Sequence, residues 1–199
     1  MVRAGEQVSG PPRPPSTAAG RTGDALLAAR AAEGDDAAFE TLVRNHSGAL
    51  LHLAQRMLGD QVEAEDAVQE CFLTAWRRLP DFRGQAAFGT WMYRIVTNRC
   101  LNILRARRPT QPLDSVPEPQ AAEYRSSPAR VAEASATVQA LGTALGTLTP
   151  DQRACWILRE LHHLSYEEIA EVVGIGEPAV RGRIFRARRS LMEAMDAWR

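Results

Sequence analysis

Residues 164–191 read LSYEEIAEVVGIGEPAVRGRIFRARRSL, and the fold is decided in this stretch. Ser165 followed three residues later by Glu168 is a capping box. The serine hydroxyl can accept from the Glu168 N–H, and the glutamate can reach back to the serine N–H. Leu164 and Ile169 stand where a hydrophobic staple would hold the chain entry. A short helix over 165–173 is predicted. Val173-Gly174-Ile175-Gly176 follows, a turn in which glycine tolerates a left-handed backbone. Pro178 fits the first turn of a second helix over 177–196, where a missing N–H costs little. On that helix Val180, Ile184, Ala187, Leu191 and Met195 recur at helical spacing and should face inward. Arg181, Phe185, Arg188 and Arg189 project elsewhere. A capped helix, a glycine turn and an arginine-rich helix make a helix-turn-helix pattern at about 165–184. Such a helix can enter the major groove, where arginine bonds guanine in bidentate fashion and an apolar group meets a thymine methyl. Its other arginines neutralise phosphates and fix register. Arginines on an exposed helix can also be a merely solvated face; the capped helix and turn ahead of them favour DNA.

Outward from this stretch, Thr149-Pro150-Asp151-Gln152 is a second capping box with proline at the first helical position. It starts a helix over 150–162, preceded by another over 134–146. Residues 107–130 (RRPTQPLDSVPEPQAAEYRSSPAR) hold five prolines and few large apolar groups, which is linker composition. Before it, helical periodicity predicts helices near 24–33, 36–58, 61–79 and 86–105. No segment alternates with period two. The expected class is all-α: two small helical domains, 23–106 and 137–199, joined by a flexible linker over 107–136. Residues 1–22, rich in Gly, Pro, Ser and Ala, read as a disordered tail.

Bulk composition bounds the function. The chain has 199 residues, of which 45% are hydrophobic, enough for folded cores. It holds no apolar run of the length a membrane span needs. It also lacks the basic start and apolar stretch of a secretory signal, so the cytoplasm is the expected compartment. Cys71, Cys100 and Cys155 are odd in number and far apart, which argues against disulfides or a zinc site and for reduced, packed thiols. Net charge is zero, and all 24 basic residues are arginine, a bias that a GC-rich genome also produces. The distribution says more than the sum. Arg94, Arg99, Arg105, Arg107 and Arg108 cluster without an acid between them, as do Arg181, Arg183, Arg186, Arg188 and Arg189. Asp60, Glu63, Glu65, Asp66 and Glu70 cluster without a base. Two positive segments and one negative one suggest two kinds of partner.

The negative segment lies on an amphipathic helix, QVEAEDAVQECFLTAWRRL over 61–79. Val68, Cys71, Phe72, Ala75 and Leu79 form its apolar stripe, with Asp66, Gln69, Glu70 and Arg77 off it. The next segment, PDFRGQAAFGTWMYRIVTNRCLNILR over 80–105, puts Phe88, Met92, Val96 and Cys100 inward. Arg94, Asn98, Asn102 and Arg105 line another face. A basic, amide-bearing helix behind an aromatic loop could hold single-stranded DNA by stacking and phosphate contacts. Trp91 and Tyr93 also suit a plain core.

EDAVQECFLTAWRRL, DFRG, AFGTWMYRIVTN and LSYEEIAEVVGIGEPAVRGRIFRARRSL, in this order and on both sides of a linker, resemble the sigma-70 family. The short two-domain form is similar to the extracytoplasmic-function sigma factors. The resemblance covers about 24–106 and 137–195. It implies that Asp66, Gln69, Glu70, Leu73 and Arg77 bind core RNA polymerase, on the clamp helices of the largest subunit. It implies that Phe82, Arg83, Gly84, Phe88, Trp91, Arg94 and Asn98 serve the minus-ten element, the loop 81–88 capturing a flipped base. Arg181, Gly182, Arg183, Phe185, Arg186 and Arg188 would read the minus-thirty-five element. The flap of the second-largest subunit and an anti-sigma factor are the further implied partners, and no cofactor or metal is implied. Gly182 and Gly176 depart from the family pattern: many members carry a small hydroxyl or a longer residue at the first position, and a capping serine is common at the second.

Other classes fit less well. An autonomous helix-turn-helix regulator would account for 149–196 and leave the acidic helix and 81–98 without a role. An enzyme is disfavoured: there is no phosphate-binding glycine loop and no nucleophile elbow. His162 and His163, beside Glu160 and Cys155, point about a hundred degrees apart on a helix and poorly suit one metal ion.

Overall fold

Apolar residues three and four apart dominate both halves, and the chain forms helices accordingly; there is no strand among the described residues. The computed structural model describes residues 18–84, 86–107 and 141–196. In the first domain α1 spans Ala18–Ala32, α2 Asp36–Leu58, α3 Gln61–Arg78 and α4 Phe88–Ala106. In the second, a helical stretch over 141–146 leads into α5 (Pro150–Glu160), α6 (Tyr166–Val173) and α7 (Glu177–Asp196).

The helix boundaries follow local chemistry. Asp35 caps α2 by accepting from the Ala38 N–H, and Asp60 caps α3 by accepting from the Glu63 N–H. Both expected capping boxes form, at Thr149 with Gln152 and at Ser165 with Glu168. Gly174 closes α6 in the left-handed region (φ 69°), a conformation that favours glycine.

Four boundaries differ from the sequence reading. α1 begins at Ala18, so the expected tail over 1–22 ends in helix. Tertiary packing supplies the reason, because Asp24 is buried and its carboxylate meets His46 Nε2 of α2 at 2.8 Å. α3 ends at Arg78 and passes into a 3-10 turn, Leu79–Asp81, with Pro80 inside it. α4 starts at Phe88 because Ala87 is extended (ψ 145°). α5 stops at Glu160 because the chain turns at Leu161 and His163 is left-handed (φ 58°). Residues 1–17, the linker over 108–136, residues 137–140 and the Met195 side chain lie outside the described residues.

Each domain closes around apolar faces. α2 packs on α1, α3 and α4, and Leu42, Leu53, Met57, Met92 and Val96 are fully buried there. Side chains of this size gain at most about 1.5–3 kcal/mol each from burial. In the second domain α7 packs on α5 and α6, with Val180, Ile184, Ala187 and Leu191 buried. The domains also touch: α6 packs on α4, and α5 packs on α2 and α4.

Candidate nucleic-acid interfaces and an acidic docking helix

The inward stripe of α7 leaves its other side chains on the opposite faces. Arg181, Phe185, Arg186, Arg188 and Arg189 are exposed. Phe185 is 69% exposed, so most of its apolar surface stays in water within this chain. The arginines are not equivalent. Arg183 is half-buried, and its Nη1 donates to Asp151 Oδ1 of α5 at 3.4 Å. Arg188 donates from Nε and Nη2 to Glu160 Oε1 at 3.2 and 2.6 Å. The Arg181 guanidinium lies 4.5 Å from the centre of the Tyr166 ring on α6 and pairs with Glu177 at 3.5 Å. Arg186 has no ion pair among the described residues and lies over Gly182, where an added Cβ would meet its Nη1 at 3.5 Å. Of the set predicted to face duplex DNA, Arg183 is thus the one turned back into the protein. Sequence spacing had no signal for the positioning groups Asp151, Glu160 and Tyr166.

The second site lies where α4 emerges from its loop. Phe82 packs against Trp91 at 4.9 Å between ring centres and edge-on against Phe88 at 6.1 Å. Phe88 is buried, while Phe82 and Trp91 are half-buried. Arg83 and Gly84 are exposed at the loop tip, and Gly84 has φ 66°. Arg94 and Asn98 are exposed on α4 and line a groove of about 650 Å³ together with Thr74, Arg78, Trp91 and Asn102. All seven residues predicted for this site therefore lie on one loop and the first three turns of one helix. Tyr93 is buried, as a core reading had it, yet its hydroxyl meets His162 Nδ1 of the second domain at 3.0 Å.

The third site is the outer face of α3. Its inner face buries Ala64, Ala67, Val68, Cys71 and Ala75. Asp66, Gln69, Glu70, Leu73 and Arg77 are all exposed. They stand three, four, seven and eleven residues from Asp66 and so form one stripe. Leu73 is 58% exposed. Val62, one turn earlier on the same stripe and 69% exposed, was missed by the sequence reading, although its spacing from Asp66 could have revealed it. Glu70 also bridges to Arg99 of α4 at 2.6 Å, tying this face to the groove side.

Cys71, Cys100 and Cys155 are free and buried. Burial pushes the Cys71 and Cys100 thiols up to about 12, which leaves almost no thiolate at neutral pH. Among the described residues no His, Cys, Asp and Glu cluster could hold a metal ion, and none of the helices is long and apolar enough to cross a membrane.

Comparison with known proteins follows the same division. The sigma-70 region 2 profile matches residues 42–110, and the sigma-70 region 4 profile matches residues 138–191. The chain is 38% identical over 185 residues to the RNA polymerase sigma-H factor of Pseudomonas aeruginosa, covering 87% of this chain and 94% of that protein. It is 35% identical over 176 residues to the ECF RNA polymerase sigma-E factor of Escherichia coli K12, covering 84% of this chain and 92% of the relative. Among solved structures it resembles CnrH in complex with the cytosolic domain of CnrY, with a TM-score of 0.69, 31% identity, and 88% and 98% of the two chains covered. It also resembles the sigma factor RpoE in complex with the anti-sigma factor NepR from Bartonella quintana, with a TM-score of 0.61, 26% identity, and 81% and 98% covered. Two family profiles on two helical domains, and relatives alike along most of their length, place the chain in the sigma-70 family, among the extracytoplasmic-function sigma factors that act in transcription initiation.

Proposed function

We propose that this sigma factor binds core RNA polymerase and directs it to promoters by reading a minus-thirty-five duplex with α7 and holding unpaired minus-ten bases with α4 and its loop. The carrying observation is that the polar stripe of α3, the groove side of α4 and the Phe185 side of α7 are all left free by packing within this chain. The domain assignment follows: 23–106 holds core-binding and minus-ten functions, 107–136 is the connecting segment, and 137–199 holds the minus-thirty-five reader.

Charge supports the division of labour. The acidic stripe Asp66 and Glu70, with Leu73 as an apolar anchor, suits a basic helical partner such as the clamp of the largest polymerase subunit. The second domain suits the flap of the second-largest subunit. The Phe82–Phe88–Trp91 cluster offers aromatic faces, and base–aromatic stacking is worth about 1–3 kcal/mol per base. Contacts that exist only after unpairing favour the open state by differential binding. Phosphodiester synthesis belongs to the polymerase, so the chain itself performs no chemistry. An anti-sigma factor in the cytoplasm is the proposed control, since two solved likenesses are complexes, one with the cytosolic domain of CnrY and one with the anti-sigma factor NepR.

Transcription in vitro with purified core polymerase on a promoter library tests this. New start sites sharing an upstream and a minus-ten element are expected when the protein is added. No new start sites, or tight sequence-specific gel shifts of duplex by the protein alone, would overturn the reading.

A further inference from the structure

We infer that Asp24 and His46, buried between α1 and α2, are positioning residues for the loop that takes up unpaired minus-ten bases. The inference deepens the preceding assignment of Phe82, Phe88 and Trp91 to that element and rests on it. His46, 3% exposed on α2, meets with its Nε2 the Oδ2 of Asp24, 6% exposed on α1, at 2.8 Å. The same imidazole lies against the start of α4. Its centre is 5.4 Å from that of the Phe88 ring. Phe88 in turn stands edge-on to Phe82 at 6.1 Å and lies 5.8 Å from Trp91. An unbroken run of contacts therefore joins a buried carboxylate on α1 to the half-buried rings at the mouth of the groove.

Stability alone does not account for the pair. A buried polar pair is often no more stabilising than apolar side chains of similar volume. What it adds is direction, because a hydrogen bond fixes the rotation of the imidazole and an apolar contact does not. The face that this fixed ring presents to α4 is the one that Phe88 rests on. Gly89 gives an independent sign that the ring must come close. Its backbone is helical, so no left-handed turn calls for glycine. A Cβ there would stand 3.2 Å from His46 Cε1 and 3.6 Å from Nδ1, the first closer than ordinary van der Waals contact. Glycine is thus what admits the ring against α4.

The same helix also supports the other end of the loop. α1 packs on the turn Leu79–Asp81, from which the loop departs, and on α4, where it ends. The loop's entry is held by α1 directly and its exit through Asp24 and His46. Rings held in one arrangement beforehand lose little freedom when a base stacks on them, and that difference appears as affinity.

Full-length protein carrying 5-fluorotryptophan at its four tryptophans reads the loop through Trp91, with Trp156 of α5 as internal reference and Trp91→Phe to assign the signal. The double variant Asp24→Leu/His46→Phe replaces the pair with apolar side chains, an exchange that often preserves stability. Its melting temperature should stay near that of the wild type. Its Trp91 fluorine resonance should move and that of Trp156 should not. In holoenzyme, affinity for a single-stranded minus-ten oligonucleotide, taken from a promoter selected in the library, should fall about tenfold, the loss of one stacked base. Affinity for core polymerase should be unchanged. Gly89→Ala keeps both polar groups and crowds the ring from α4; the same shift with a smaller loss of strand affinity is expected. A Trp91 signal unmoved in both variants overturns the positioning role. So does full strand affinity in a variant whose Trp91 signal has moved, or a loss of core affinity equal to the loss of strand affinity. If the double variant does not fold, Gly89→Ala decides alone by the same readouts. If wild-type holoenzyme does not hold the oligonucleotide, the minus-ten assignment fails, while the fluorine signal still decides whether the pair sets Trp91.

Discussion

The helices α4 and α7 both carry a buried apolar stripe and an exposed basic side, yet they hold their arginines differently. On α7 the guanidiniums are set by neighbouring helices: Arg183 by Asp151, Arg188 by Glu160 and Arg181 by the Tyr166 ring. On α4 the exposed Arg94 and Asn98 line an open groove behind three aromatic rings; Arg99 is tied to Glu70 of α3, and Arg105 bonds only Asn102 of its own helix. A helix whose cations are pre-positioned suits a rigid target such as duplex DNA, where bidentate geometry matters. A groove with rings at its mouth and unclamped polar groups suits a flexible single strand. Under the proposed function the same residue types would serve two targets, and what separates the two helices is the carboxylates and rings that other helices bring.

The contrast breaks first at the buried side. Ile184→Ala and Met92→Ala each empty a fully or nearly fully buried position and should cost about 2–5 kcal/mol. Thermal unfolding followed by circular dichroism measures this. If Ile184→Ala abolishes upstream-element recognition while Met92→Ala spares it, the two helices work as separate modules. Equal loss of both functions would mean that the domains fold as one unit.

The next effect separates arginines within α7. Arg186→Ala removes an exposed guanidinium that has no ion pair among the described residues, and it should reduce use of the native upstream element about tenfold or more, since a bidentate base contact is worth about 1–3 kcal/mol. Its stability should stay within about 0.5 kcal/mol of wild type. Arg183→Ala should show the reverse pattern, a modest drop in melting temperature with the smaller effect on promoter choice. Run-off transcription beside a melting curve for each variant reads both axes, and a promoter defect in Arg183→Ala as large as that in Arg186→Ala would erase the distinction.

How far this was legible without coordinates depends on sequence separation. The helix-turn-helix, the capping boxes of α5 and α6 and the inward stripe of α7 are local patterns, and they form where the spacing places them. The exposed stripe of α3 is equally local, and Val62 lies on it one helical turn before Asp66. Long-range ties were not readable. The Asp24–His46 pair that draws α1 onto α2 joins residues 22 apart, Arg183–Asp151 spans 32, and Tyr93–His162 spans 69. No periodicity links such residues, because their proximity follows from packing angles between helices rather than from position along one. For the same reason a proline-rich linker signalled two modules and could not signal that they touch.

The acidic stripe offers a further test of whether charge or packing governs α3. Asp66→Arg combined with Glu70→Arg should weaken core-polymerase association at least about tenfold, as like charges replace complementary ones. It should leave folding almost untouched. The Glu70–Arg99 bridge it removes has side chains 57% and 43% exposed, and exposed pairs contribute about 0–1 kcal/mol. Pull-down on immobilised core, with a melting curve as control, measures both. Undiminished association would move the docking surface off α3.

The smallest effect concerns Gly182, the one glycine on the exposed reading side of α7. Its backbone is ordinary helix, and a Cβ there would meet the Arg186 guanidinium, nearest at Nη1 3.5 Å away, an ordinary van der Waals distance. Neither strain nor crowding demands glycine, while a glycine inside a helix costs about 0.5–1 kcal/mol relative to alanine. Gly182→Ala should therefore raise the stability of the second domain by up to that amount, seen as a small increase in melting temperature. If glycine is kept so that the Arg186 guanidinium can lie close to the helix backbone, the same variant should shift base preference at the position Arg186 reads while leaving overall affinity nearly constant. A stability gain with an unchanged promoter profile would show that Arg186 does not depend on the missing side chain for its aim, and the free and positioned arginines of α7 would then differ only in their ion pairs.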